Sequence, residues 1–185
     1  MAATPSAMVK LGTKAPDFTL PDTISGKQIS LDEIKSDKAT VVMFICNHCP
    51  YVIHIIDELS EVVKGYQKKG ISFAAISSND IVNYPQDSPE RMKEFAEAHK
   101  LSFPYLFDET QEVAKAYHAE CTPDIFVFDK DMKLVYRGQF DDSRPSLSKP
   151  VTGKDLTAAL DAILEGRPVD ENQIPSVGCN IKWKR

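Results

Sequence analysis

The chain has 185 residues, a hydrophobic content of 42% and a net charge of -5. This length and composition favour one globular domain and exclude general disorder and a fibrous repeat. The mild acidity argues against nucleic acid as a partner, because nucleic acid binds a basic patch. Four cysteines are too few for a disulfide scaffold.

The N-terminal segment 1–10 is predicted to be a loose terminus, since it has neither a basic start nor the apolar core of a signal peptide. The longest purely apolar run, residues 41–46, is far shorter than the roughly 20 residues that span a bilayer. We therefore expect a cytoplasmic protein in a reducing compartment, with no membrane partner.

Strand and helix patterns alternate from residue 18 onward. Residues 18–20 and 28–31 flank a turn-rich segment and predict an N-terminal β-hairpin. The β-branched run at 40–45 predicts a buried central strand. The other predicted elements are a helix from about 50 to 66, a strand at 71–77, a polar loop at 79–87, helices at 88–100 and 108–118, strands at 125–128 and 134–136, and a helix at 152–165.

This order of elements predicts an α/β fold with a mixed central sheet, helices on both faces and the β-hairpin as an N-terminal extension. The strands at 125–128 and 134–136 are expected to form an antiparallel hairpin beside parallel strands. We predict a single domain over residues 1–185, with a core at about 12–166 and a C-terminal tail at 167–185.

The sequence Cys46-Asn47-His48-Cys49 lies where a predicted strand gives way to a helix. Sites of α/β folds lie at such junctions. A thiolate near a helix N-terminus is stabilised by the helix dipole and by unpaired N–H groups, which lowers its pKa below about 8.5. The two-residue gap lets both sulfurs meet in a disulfide without large backbone movement.

We assign Cys46 as the attacking thiol, at the exposed end of the motif, and Cys49 as the more buried resolving thiol. His48, together with Asn47, is expected to tune the pKa of Cys46. A cationic or hydrogen-bonding imidazole there would stabilise the reduced form, and the disulfide would be more oxidising.

A Cys-x-x-Cys pair also opens many zinc sites. A metal-holding or redox-inactive binding module that uses Cys46, Cys49 and His48 is therefore an alternative. Closing a zinc site needs a second pair at short spacing, whereas Cys121 and Cys179 are far apart in the chain. Spacing and position favour redox chemistry, with neither a metal nor an organic cofactor.

Thr122-Pro123 directly precedes a predicted strand, where a proline can hold a cis peptide bond. With this motif the chain resembles the thioredoxin-fold redoxins, which join thioredoxin-like and peroxiredoxin-like (AhpC/TSA-related) proteins, over about residues 12–165. The motifs that carry the resemblance are APDFTL at 15–20, the strand–Cys-x-x-Cys–helix unit, IFVFD at 125–129 after Thr122-Pro123, and the peroxiredoxin-like segments CNHCPY at 46–51 and GCNIKWK at 178–184.

The resemblance implies a thioredoxin fold with a cis Pro123 that lines a cleft facing Cys46. It also implies that the Thr122 backbone pairs with an extended substrate segment. The implied function is that of a thiol-disulfide oxidoreductase. Its expected partners are a protein or small-molecule disulfide as substrate and a reductase or dithiol donor that recycles the protein.

A thiol-dependent peroxidase is a further alternative. When Cys49 is aligned with the peroxidatic cysteine of peroxiredoxins, Cys46 stands in place of their peroxide-binding threonine and Pro123 in place of their arginine. The groups that stabilise the peroxide oxygens are then missing. Thr40 likewise stands where thioredoxins carry a buried acid, so the motif does not identify a proton acceptor for Cys49.

Two further cysteines are candidates for auxiliary thiols. Cys121 precedes Thr122-Pro123, although the role of a small buried filler is favoured for it. Cys179 is either an extra resolving thiol on a flexible tail or part of a tail that packs on the sheet through Ile181 and Trp183. Neither alternative for Cys179 is preferred by the residues alone.

Overall fold

The structure, a computed structural model, describes residues 3–185, so the first two residues of the predicted loose terminus lie outside the described residues. Strands and helices alternate along most of the chain. In chain order the elements are β1 (Thr4–Pro5), β2 (Thr19–Pro21), β3 (Gln28–Ser30), α1 (Leu31–Ile34), β4 (Ala39–Phe44), α2 (Pro50–Gln67), β5 (Ser72–Ser77), α3 (Pro89–Ala98), β6 (Tyr105–Phe107), α4 (Glu112–Ala116), β7 (Cys121–Thr122), β8 (Asp124–Asp129), β9 (Leu134–Arg137), α5 (Lys154–Leu164) and β10 (Val177–Asn180).

Five strands form the central sheet, in the order β6-β5-β4-β8-β9. β5 runs parallel to both β4 and β6, while β8 is antiparallel to both β4 and β9. The sheet is therefore mixed, with the predicted antiparallel hairpin at one edge. The sequence pattern does not predict β6, because its three residues are too few for a periodic signal.

Apolar side chains cover both faces of the central sheet. All six residues of β4 are buried, because alternate side chains of this middle strand enter opposite layers. Met43 packs in one layer with Ile56 of α2 and Leu160 of α5. Phe44 packs in the other layer with Ala114 of α4. Helices thus lie on both faces, as the sequence predicts.

Helix α2 follows the cysteine motif. It begins at Pro50, because proline has no N–H to lose in the first turn and its φ suits a helix. Its buried residues recur at helical spacing and anchor it on the sheet: Val52, Ile55, Ile56, Leu59, Ser60, Val63 and Tyr66. Within residues 3–185, neither α2 nor another helix is both long and apolar enough to cross a membrane.

Two smaller sheets accompany the central one. β2 and β3 pair antiparallel and form the predicted N-terminal hairpin. β10 lies between β1 and β7 and is antiparallel to both. The expectation of a loose N-terminus is wrong at residues 4–5, because their backbone pairs with residues 177–178, a long-range contact that no local pattern predicts.

Candidate active site

The cysteine motif lies between β4 and α2, at the carboxyl end of a central strand. Cys49 is the residue immediately before the helix, and Cys46 lies three residues earlier. Both are free thiols. Cys46 is 1% exposed and Cys49 is 0% exposed, so the expected contrast between an exposed and a buried cysteine is wrong. The motif is covered by segments that are distant in the chain.

Thr122 connects the two sulfurs. Its hydroxyl Oγ1 lies 3.6 Å from Cys46 Sγ, and its carbonyl oxygen accepts a hydrogen bond of 3.1 Å from the Cys49 thiol. The peptide bond between Thr122 and Pro123 is cis, as predicted. The fold thus brings the Thr122-Pro123 motif, 73 to 76 positions away in sequence, against the cysteine pair.

The two thiols of the motif interact, and hydrogen bonding between them shifts their pKa values in opposite directions. This hydrogen bond lowers the pKa of Cys49 to about 5 against the opposing effect of burial. The pKa of Cys46 is raised, first by the same hydrogen bond, then by burial and by the charge of Asp87. The expected lowering at Cys46 is therefore wrong for the reduced pair, which titrates as one unit.

His48 lies between Cys46 and a buried carboxylate. Its Nδ1 is 4.0 Å from Cys46 Sγ but 2.6 Å from Asp87 Oδ2. The imidazole stacks on the ring of Tyr84 with a centroid distance of 5.7 Å and an interplanar angle of 8°. His48 thus reaches the Cys46 sulfur, as the sequence suggested, yet Asp87 is its closer partner and Tyr84 restricts its orientation.

Asp87 is the functional candidate that the sequence analysis did not identify. It is completely buried and lies in the segment 79–87, which the sequence predicts as a polar loop. Its carboxylate accepts hydrogen bonds from the backbone N–H of Asn47 at 2.8 Å and from the amide of Asn79 at 2.9 Å. Because these contacts are long-range or within an irregular loop, no periodic signal could have revealed them.

Asn47 binds the surrounding chain. Its side-chain amide donates to the Gln86 carbonyl at 3.0 Å, and its Oδ1 accepts from the hydroxyl of Tyr105 at 2.9 Å. With the backbone bond to Asp87, these contacts fix the loop between the two cysteines. The geometry therefore supports a positioning role for Asn47.

Three groups at this site could hold a metal ion among the described residues. One ligand atom each of Cys46, His48 and Asp87 lies within 4.8 Å of the others. Cys49 is not part of this group, so the arrangement differs from the metal site considered from the sequence, which used both cysteines.

Cys179 lies beside the cysteine pair. It belongs to β10, where it pairs in register with Thr122, and it is buried. Its thiol is hydrogen-bonded to Cys49, and its pKa is raised to about 12, mainly by burial and next by that hydrogen bond. Ile181 of the tail is buried in a core layer, whereas Trp183 is exposed, so the tail packs through Ile181 and not through Trp183. The tail also carries a third thiol into the site.

Cys121 occupies a different environment. Its Sγ lies 3.5 Å from the Pro123 carbonyl oxygen and 4.0 Å from the Ser176 carbonyl oxygen. Burial raises its pKa far above the ordinary range, and the charge of Asp124 adds to this effect. These contacts fit the small buried filler that the sequence favoured.

Comparisons with known proteins identify the fold. A crystal structure of an uncharacterized conserved protein from Geobacillus kaustophilus is 59% identical, covers 100% of this chain and 97% of that one, and superposes with a TM-score of 0.98. The thioredoxin domain of a thiol-disulfide oxidoreductase from Bacteroides vulgatus is 20% identical, covers 81% of this chain and 97% of that one, and has a TM-score of 0.62. The fold is therefore thioredoxin-like, as predicted.

A named relative and a family model place the chain among known sequences. The thiol-disulfide oxidoreductase ResA of Bacillus thuringiensis is 26% identical over 127 residues, which are 69% of this chain and 68% of the relative. The model of the AhpC/TSA family matches residues 11–137, which is more than half of the chain. The matched region includes β4, the cysteine motif, Thr122-Pro123 and the strands that flank them. The chain belongs to the AhpC/TSA family.

Proposed function

We propose that the protein is a thiol-disulfide oxidoreductase whose working dithiol is Cys46 and Cys49. The observation that carries this function is the contact of both sulfurs with Thr122, next to a cis proline and at the start of a helix. Kinship with the oxidoreductase ResA supports the same activity. The substrate is a disulfide of a protein or a small molecule.

Cys46 carries out the first step. Its thiolate attacks one sulfur of the substrate disulfide, the substrate S–S bond breaks, and a mixed disulfide forms while the other substrate sulfur leaves with a proton. Cys49 then attacks the Cys46 sulfur, releases the second substrate thiol and leaves a Cys46–Cys49 disulfide. The protein thus loses two electrons to the substrate, and a reductase or dithiol donor restores them.

The contacts of each sulfur support these roles. The Thr122 hydroxyl faces Cys46 Sγ and can donate a hydrogen bond to a thiolate there, while His48 Nδ1 lies 4.0 Å from the same sulfur and closer to Asp87. Cys49 Sγ instead faces the Thr122 carbonyl oxygen, which accepts a hydrogen bond from the Cys49 thiol and cannot donate one. In the reduced pair the pKa of Cys49 is lowered and that of Cys46 is raised, so Cys46 becomes the nucleophile when its proton moves to Cys49.

The remaining site residues act through Cys46. Asp87 holds His48 beside the Cys46 sulfur and restricts which way the imidazole faces. Asn47 fixes the loop between the cysteines. Because Cys46 is buried, a substrate reaches it only when one of the segments covering the motif moves.

The test is reduction of insulin disulfides by the protein with dithiothreitol as electron donor. Cys46→Ser should lower the rate to that of dithiothreitol alone, because the attacking sulfur is gone. Cys49→Ser should accumulate a mixed disulfide at Cys46 when oxidised glutathione is added, which intact mass detects. The matched control is Cys121→Ser, a buried thiol with other partners, which should keep the wild-type rate.

Two outcomes would contradict the proposal. Full insulin reduction by Cys46→Ser would exclude Cys46 as the attacking thiol, and a mixed disulfide trapped at Cys49 in that variant would reverse the two roles. A parallel reaction with hydrogen peroxide separates the peroxidase alternative, which requires thiol oxidation much faster than that of free cysteine. Among the described residues, no arginine is hydrogen-bonded to either sulfur.

A further inference from the structure

Strand β10 lies directly on the backbone next to the cis proline. Cys179 pairs in register with Thr122, and Asn180 pairs with Cys121. The approach is so close at Gly178 that an added Cβ would lie 1.8 Å from the Thr122 carbonyl oxygen. The family resemblance implies that an extended substrate segment pairs with the Thr122 backbone. In this structure the protein's own strand β10 pairs there instead.

This pairing carries the Cys179 sulfur to the working dithiol. Directly opposed residues of an antiparallel pair have Cα atoms about 4.5 to 5.5 Å apart, which places Cys179 beside Thr122. The carbonyl oxygen of the same Thr122 accepts a hydrogen bond from the Cys49 thiol, with 3.1 Å between Sγ and the oxygen. Cys46, Cys49 and Cys179 all belong to the same buried core cluster, and the pKa of Cys49 is lowered by hydrogen bonding with each of the other two thiols.

We propose that Cys179 is a third redox thiol, which receives the disulfide from the working dithiol and forms a Cys49–Cys179 bond. This proposal rests on the proposed function, since it needs a Cys46–Cys49 disulfide as its starting point. Among the described residues, Cys121 is the other buried thiol nearby, and its sulfur faces carbonyl oxygens instead.

The step is a thiol-disulfide exchange within the chain. The Cys179 thiolate attacks the Cys49 sulfur, the Cys49–Cys179 bond forms, and the Cys46–Cys49 bond breaks. Cys46 leaves as a thiolate and takes the proton that Cys179 gave up. The protein gains and loses no electrons in this step, because the substrate disulfide has already oxidised it.

The exchange changes which sulfur is available. Before it, both sulfurs of the motif are in the disulfide; after it, Cys46 is free and the disulfide joins the start of α2 to β10. In the reduced protein Cys179 stays protonated, because burial and its hydrogen bond to Cys49 raise its pKa to about 12. Once the Cys46–Cys49 disulfide has formed, Cys49 is no longer a thiolate. Its charge then no longer raises the pKa of Cys179, which favours ionisation of Cys179.

The experiment follows the disulfides of the full chain after addition of oxidised glutathione. Samples are quenched with acid and iodoacetamide at successive times, digested with trypsin without reduction and sequenced by tandem mass spectrometry. Cys46 and Cys49 share the tryptic peptide 39–64, whereas Cys179 lies in 155–182 and Cys121 in 116–130. A Cys46–Cys49 bond therefore closes a loop in one peptide, and a Cys49–Cys179 bond joins two.

We expect the loop in peptide 39–64 to form first and the cross-link to 155–182 to replace it, with fragment ions that assign the bond to Cys49. Cys179→Ser should keep the loop and lose the cross-link, while Cys121→Ser should keep both. A wild-type protein that stops at the loop, or that joins Cys46 to Cys179, overturns the third-thiol proposal and leaves the proposed function standing. Absence of the loop at every time overturns the proposed function itself.

Discussion

Among single residues, the site depends on a small chain of polar contacts around one sulfur. Cys46 meets the Thr122 hydroxyl and the His48 imidazole, and His48 is held by the buried Asp87. The Asp87 carboxylate also binds the Asn47 backbone, so it both shapes the motif and places a negative charge near the thiol. That charge opposes formation of the Cys46 thiolate, after the larger effects of the Cys49 hydrogen bond and burial.

Asp87→Asn tests this electrostatic effect. The pKa of Cys46 is raised by the Cys49 hydrogen bond, by burial and by the charge of Asp87, so removing the charge should lower that pKa. At a fixed pH below the pKa of Cys46, the fraction of Cys46 present as thiolate should rise about tenfold for each unit by which that pKa falls. Alkylation by iodoacetamide, followed at Cys46 by peptide mass against pH, should show its midpoint move to lower pH.

The control for this charge effect is Asp80→Asn in the same loop, whose carboxylate binds Val82 and Asn83 instead of the cysteine motif. It should leave the alkylation midpoint of Cys46 where it is in the wild type. A midpoint that moves to higher pH in Asp87→Asn would show that the carboxylate assists ionisation of Cys46 instead of opposing it.

Among the elements, β10 is the one that joins the ends of the chain to the site. It pairs with β1 on one side and with β7 on the other, and it carries Cys179. Its Gly178 lies so near Thr122 that even a methyl side chain has no room. The strand can therefore pack against the cis-proline segment only because glycine stands at this position.

Gly178→Ala should weaken this packing. The added Cβ overlaps the Thr122 carbonyl oxygen, so β10 has to shift, and we expect a loss of about 1–3 kcal/mol in the free energy of unfolding. The shifted strand should also expose Cys49 and Cys179 and make their alkylation by iodoacetamide faster. Urea unfolding and thiol labelling measure the two effects.

Gly65→Ala is the matched control for that substitution. Gly65 lies within α2, and outside its chain neighbours and the nearby helix backbone no atom lies within 4 Å of an added Cβ. Because alanine favours a helix over glycine, this variant should gain about 0.5–1 kcal/mol and keep wild-type labelling. Equal stability and equal labelling in Gly178→Ala and the wild type would show that β10 does not cover the thiols.

At the scale of the whole molecule, a buried ion pair between Arg137 and Asp124, the residue after the cis proline, joins distant segments. Arg137 and Asp124 have side chains that are 0% exposed, and their closest contact is 3.0 Å. Arg137 also donates to the carbonyl oxygens of Ala7 at 2.8 Å and His118 at 2.6 Å. Ser6 donates to Asp124 at 3.0 Å, so the pair connects the N-terminal segment, β8 and β9.

Arg137→Met should destabilise the protein by about 3–5 kcal/mol, because Asp124 would remain buried without its counter-charge. Urea unfolding measures this loss. The exposed pair Arg91–Glu94 offers a control, since Arg91→Ala should cost less than about 1 kcal/mol. Adding Asp124→Asn to Arg137→Met should recover part of the loss; a double variant less stable than the single one would contradict the charge explanation.

The sequence by itself determined the elements whose signals are local. Strand β4 was predicted by its apolar run, helix α2 by its helical spacing, and the β2–β3 hairpin by the turn between its strands. Each of these patterns lies within a few neighbouring residues, so the sequence alone reveals it. It also predicted the reactive pair Cys46 and Cys49, since a strand–Cys-x-x-Cys–helix unit is contiguous in the chain.

Only the tertiary structure decided what surrounds that pair. Asp87, Thr122 and Cys179 reach the sulfurs from three separate segments, and the burial of Cys46 follows from segments packing over it. The direction of each pKa shift in the cysteine pair depends on those contacts and on burial. Burial and hydrogen bonding act through space, so a pattern read along the chain reveals the chemical groups but not their environment.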